Sequence, residues 1–199
     1  MKTAALALFL AVGIMPASAS ELAKTYTYFS IRGATMADID RELARRGPSV
    51  GGGNERHPGA TRMEFRTKLG YAATGNSCTI RTVKVQVRAK VILPRWYPPR
   101  RASFETRFVW DTLASDIRRH EEQHVAIANS YGRKLESALK TVGRQRNCAI
   151  AGEKAQKISD RILGQHDRAQ QRFDAAESAG FERRLSKLLK QRLRELKRS

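Results

Sequence analysis

His120-Glu121-Glu122-Gln123-His124 sets two imidazoles four residues apart with carboxylates between them. On a helix, positions i and i+4 stand one above the other on the same face, so both rings can reach a single ion. The H-E-x-x-H pattern is the one in which two histidines hold zinc and the first glutamate works on a bound water. It predicts hydrolysis of a peptide bond by a zinc-activated water, with Glu121 as general base. Glu122 lies about 100° round the helix from Glu121 and is the poorer base. Asp116, on the preceding turn, is placed to orient His120.

A catalytic zinc site takes three protein ligands and keeps one position open. His120 and His124 are two of them. The extended metzincin pattern needs a histidine six residues after His124, where Ser130 stands instead. Candidates further along the chain are Glu136, Glu153, His166, Asp174 and Glu177. His57, in a glycine-rich loop, is a more remote one.

These residues need a scaffold. From Phe104 to Val142 there is no proline, and Trp110, Leu113, Ile117, Tyr131, Leu135, Ala138 and Val142 form an apolar stripe at helical spacing. His120, Glu121 and His124 fill the gap in that stripe and should therefore point inward. Upstream, Tyr26–Ile31 reads as a strand, Thr35 caps a short helix from Met36 to about Arg45, and Gly47-Pro48 ends it. The glycines at 51–53 mark a loop, and no Gly-Lys-Ser/Thr follows them to bind phosphate. Arg62–Leu69 and Thr79–Leu93 alternate as two strands joined by a hairpin, the second with a phase slip that marks a bulge. Two more helices are expected, from about Ile150 to Ala176 and from Phe181 to Lys197. Strands first and helices after predict an α+β fold, with a small antiparallel sheet packed on the helices that carry the motif.

Residues 1–19 read as a signal peptide: Lys2, an apolar run from Ala4 to Ile14, and Ala17-Ser18-Ala19 as cleavage site. The expectation is a secreted or periplasmic protein. Cys78 and Cys148 are the only cysteines, and in an oxidising compartment they should pair. Closing that loop would stabilise the fold by about 4 kcal/mol on the chain-entropy account. The net charge of +19 favours anionic partners such as a membrane surface or a wall polymer, and export disfavours nucleic acid. The last segment, 181–199, carries Phe181, Leu185, Leu188, Leu189, Leu193 and Leu196 amid basic residues, a basic amphipathic helix.

The chain resembles a bacterial family of predicted secreted zinc-dependent proteases, built on a domain of unknown function. The resemblance runs from Tyr26 to Gly180. It rests on Gly47-Pro48, Cys78 before a long strand, Leu93-Pro94 with Trp96, Trp110, the HEEQH motif and Cys148. It implies a single zincin-like α+β domain over 20–180. The family's helical end carries an aromatic-Asp pair followed by Thr-x-His-Gly. Here Phe173, Asp174 and Gly180 fit, while Glu177 and Ala179 stand where threonine and histidine belong. That pattern puts the third ligand in the 173–180 segment, with Glu177 ahead of His166 and Asp174. Antiparallel helices joined near Gly143–Ala149 instead set a partner for His124 near residue 168.

The expected function is thus an exported zinc metallopeptidase acting on a peptide or protein substrate. The alternative is a non-catalytic periplasmic envelope protein that binds anionic lipid or a protein partner and carries a degenerate or structural metal site.

Overall fold

Thr35 and Asp38 show how a local signal becomes an element. The Thr35 hydroxyl accepts from the Asp38 backbone N–H, and the Asp38 carboxylate accepts from the Thr35 N–H, starting helix α1 (Met36–Arg46). The computed structural model describes residues 21–50 and 56–198. The expected signal peptide and the glycines at 51–53 lie outside the described residues. Strand β1 (Glu21–Ile31) precedes α1. After it come β2 (Ala60–Thr74), β3 (Ser77–Trp96), α2 (Phe104–Lys140) and α3 (Cys148–Leu196).

The fold is α+β: one three-stranded sheet, order β1-β3-β2, with the two long helices packed on one face. β2 and β3 form the expected antiparallel hairpin, turning at Gly75, whose φ of 54° favours glycine. Gly70 faces Thr82 and Tyr71 faces Ile80, so Arg81 is the extra residue that caused the phase slip in the sequence. β1, however, pairs with β3 in parallel, so the sheet is mixed rather than wholly antiparallel. Alternation reveals a strand and its buried face, but neither its neighbour nor its direction.

Two apolar clusters lie between sheet and helices. One joins Ile31, Ile39, Val91, Leu93, Trp110, Leu113, Ile117 and Val125; the other joins Val83, Val85, Leu135, Leu139, Val142, Ala155 and Ile162. The Cys78–Cys148 disulfide closes the second cluster. Beside it, Cys78 and Gln145 exchange backbone hydrogen bonds of 2.8 Å, tying the α2–α3 connection to β3.

The two C-terminal helices expected from the sequence are one. α3 runs through Gly180 without a break. A single internal glycine costs about 1 kcal/mol, and the Leu, Lys, Arg and Glu residues beyond it favour the helix. Arg184 also bridges the glycine, donating to the Glu177 carbonyl at 3.2 Å and to Asp116 of α2 at 3.1 Å. Among the described residues no helix is long and apolar enough to cross a membrane.

Candidate metal centre

The HEEQH turn sits mid-way along α2 with Glu121 4% and His124 9% exposed, inward as the stripe required. The Nε2 atoms of His120 and His124 are 3.0 Å apart. Asp174 Oδ1 lies 3.0 Å from His124 Nε2 and 3.4 Å from His120 Nε2. Donors held at about 2.0–2.2 Å by a tetrahedral zinc lie roughly 3.3–3.6 Å from one another. The three atoms already stand close to that triangle.

Asp174 is here because α3 runs back along α2. His120 and Asp174 are equally far in sequence from Asn147, the residue that caps α3, and so are His124 and Gln170. Glu177, first choice from the sequence, does not converge on the Nε2 pair. It lies 3.5 Å from the other nitrogen of His120, Nδ1, and is ion-paired to Arg119 and Arg184. His166 is buried behind the site, its ring against Phe65 and Tyr131. Ala179, where the resemblance would put a histidine, is exposed on the continuous helix. Asp116 does not orient His120 but accepts from Arg119 and Arg184, tying α2 to α3.

The outer nitrogens set the tautomers. Gln170 Nε2 donates to the His124 carbonyl at 3.2 Å and to His166 Nε2 at 2.9 Å, which turns its Oε1 toward His124. His124 Nδ1–H donates to that oxygen at 2.7 Å, leaving its Nε2 as a lone pair. His120 Nδ1 faces the Glu177 carboxylate, which favours the same tautomer. Two imidazole lone pairs and a carboxylate oxygen therefore converge on one point, an arrangement that could hold a metal ion. The ring of Phe173 lies against both histidines, 4.9 Å and 5.1 Å between centroids, and limits their rotation. The aromatic-Asp pair of the sequence is thus the part of α3 that meets the motif.

Glu121 belongs to the same site. Thr61 of β2 donates to its Oε2 at 2.8 Å and to its carbonyl at 3.1 Å, fixing the side chain. Burial pushes its carboxyl above the ordinary range, opposed by that hydroxyl and by the two histidines. Gly59 makes the approach possible: a Cβ there would lie 2.8 Å from Glu121 Oε1 and 2.9 Å from Ile117. Gly59, Thr61 and Gln170 were missed from the sequence, the only hint being a glycine at the entrance to a strand. Glu122, by contrast, points away and pairs with Lys24 and Tyr26 of β1.

The triad lines a cleft of about 600 Å³ between β2, α2 and α3, within the usual range for ligand sites. His57 lines it too, so every histidine of the chain is in the cleft or directly behind it. Asp116, Glu121, Asp174 and Glu177 face it against one lining guanidinium, Arg184. Burial alone would raise the Glu177 carboxyl, but Arg119 and Arg184 hold it below the ordinary range. Asp116 and Glu177 are thus neutralised by these guanidiniums, which leaves Asp174, beside the two histidines, with no arginine or lysine partner among the described residues.

The chain belongs to a family of bacterial proteins of unknown function, DUF922, whose profile matches residues 26–180. No curated protein and no solved structure matches it.

Proposed function

We propose that the protein is an exported zinc-dependent peptidase with His120, His124 and Asp174 as the metal ligands and Glu121 as general base. The convergence of three lone-pair donors carries this reading. Zinc supports it best, because two neutral imidazoles and a carboxylate at tetrahedral spacing suit that ion and leave a fourth position open. When bound, zinc polarises a carbonyl and lowers the pKa of water toward neutrality. The residues supply the rest. Glu121, with its raised carboxyl, accepts a proton from the attacking water and passes it to the leaving amine. Thr61 holds that carboxylate in one rotamer, and Gln170 and Phe173 hold the histidines. The Cys78–Cys148 bridge fits an oxidising compartment such as the periplasm.

The test is metal analysis of the purified protein together with hydrolysis of an unstructured protein such as casein. We expect one zinc per chain, and hydrolysis stopped by chelator and restored by zinc. His120→Ala and His124→Ala should lose the metal, and Asp174→Ala should weaken its binding more than Glu177→Ala does. Unchanged zinc content in both histidine variants would sink the metal assignment. Zinc bound in full with no hydrolysis of any peptide would leave a structural metal and remove the enzyme.

A further inference from the structure

The face of the sheet turned away from the helices has no role in that chemistry, yet it is unusual. Along β2 the outward residues include Arg62, Arg66 and Lys68, and along β3 they include Lys84, Arg88 and Lys90; all six are exposed. Register sets Arg62 directly opposite Lys90 and Lys68 directly opposite Lys84. Like charges facing each other across a strand pair destabilise the sheet. The carboxylate of Glu64 answers only part of this charge, since Arg66 holds it at 2.8 Å. Arg62, Lys68, Lys84 and Lys90 make no ion pair among the described residues. A purely solvated face would gain from alternating signs, so the repulsion calls for an anionic counterpart.

Geometry narrows the counterpart. Alternate residues along a strand are roughly 6.8 Å apart and neighbouring strands about 4.8 Å. The cations therefore form two parallel rows roughly 20 Å long, a plane rather than a line. β1 sets the small residues Ala23 and Thr25 beside Arg88 and Lys90, leaving a shallow depression of about 460 Å³. No aromatic side chain stands among these outward residues to stack on bases, as single-stranded nucleic acid would favour. Separate, mobile phosphate headgroups can match a two-dimensional array of cations without the ordering a single polymer chain requires.

We propose that this sheet face docks the protein on an anionic lipid bilayer through the headgroup phosphates. The docking face is across the sheet from the cleft, so a bound protein keeps its metal centre open to solvent. Each cation brought to such a surface strengthens binding roughly fivefold.

The experiment is co-sedimentation with phosphatidylglycerol–phosphatidylcholine vesicles, pure phosphatidylcholine vesicles, and soluble polyphosphate. Chelator is present throughout, so the result does not depend on the metal. The variants are the triple Lys68→Gln/Lys84→Gln/Lys90→Gln and, with the same charge change on α3, Lys187→Gln/Lys190→Gln/Arg194→Gln. We expect wild-type protein to bind only the anionic vesicles, and the sheet triple to bind them about a hundredfold more weakly. The α3 triple should lose far less. The sheet triple should melt at or above the wild-type temperature, since a repulsion has been relieved. Equal losses in both triples would show that binding follows net charge and would overturn the proposal, as would wild-type protein that ignores anionic vesicles. Loss of polyphosphate binding with vesicle binding intact would assign the face to a polymer instead.

Discussion

The two ends of the α2–α3 pair are built on opposite principles. Near the connection, Leu135 and Leu139 of α2 are fully buried against Ala155, Ile162 and β3, and a disulfide closes the end. About four helical turns back along α2 the same two helices face each other through His120, His124, Gln170 and Asp174, with Glu121 buried beside them. The first end gains free energy from apolar burial. The second must satisfy each polar group individually, and a carboxylate whose protonated form is favoured by burial is a standing cost. Polar groups kept where leucine would pack better mark the second region as the candidate site and the first as the scaffold.

Substitutions at the two ends should therefore separate activity from stability. The largest effect is expected at Glu121. Glu121→Gln should lower peptide hydrolysis about 10²–10⁴-fold with zinc still bound, while Glu122→Gln, on the outer face with Lys24, should leave kcat within about twofold. Equal losses in the two variants would erase the distinction between the faces of α2.

Leu139→Ala belongs to the other end. It should cost about 2–5 kcal/mol in denaturant unfolding and leave zinc stoichiometry unchanged in the folded protein. Gln170→Ala tests the polar end with a milder change. Zinc affinity should fall about 10–100-fold because His124 loses its orienting partner, while the metal-free protein should lose only about 1–2 kcal/mol. Were Gln170→Ala to unfold the chain as readily as Leu139→Ala, the polar layer would have to be counted as core.

The smallest effect is expected at a reference point outside both ends. The Thr35 hydroxyl and the backbone amides of Ala34 and Thr35 hold the Asp38 carboxyl below its ordinary range. Its capping contribution is present above the unfolded aspartate pKa and is lost as pH falls through the lower folded value. Melting followed by circular dichroism should show a slightly flatter acid limb in Asp38→Asn than in wild type. A steeper limb would mean that the cap is not the group responsible.

Much of this was legible beforehand because the signals are local. The α1 cap, the two-residue alternation of β2 and β3 with its slip at Arg81, and the i, i+4 histidines each depend on residues a few positions apart. The cysteine pair was legible for a different reason, since two cysteines admit one bridge. The third donor was not legible. Asp174, Glu177 and His166 are equally plausible ligands by type, and the pattern of neighbours along 173–180 points to Glu177. The choice depended on whether α3 ends near Gly180, because a turn there would have freed Glu177 to reach the histidines. The helix continues, so rotation along α3 directs Asp174 at both Nε2 atoms and leaves Glu177 to Arg119 and Arg184.

The sequence by itself determined the α1 cap, the β2–β3 hairpin, the inward face of α2, the bridge and the placing of His120 and His124 on one helix face, all consequences of short-range periodicity and residue chemistry. Only the tertiary structure decided the parallel placement of β1, the approach of Gly59 and Thr61 to Glu121, and which carboxylate stands beside the two Nε2 atoms. Those depend on contacts between residues roughly fifty to seventy positions apart, where a shift of one helical turn exchanges one candidate for another.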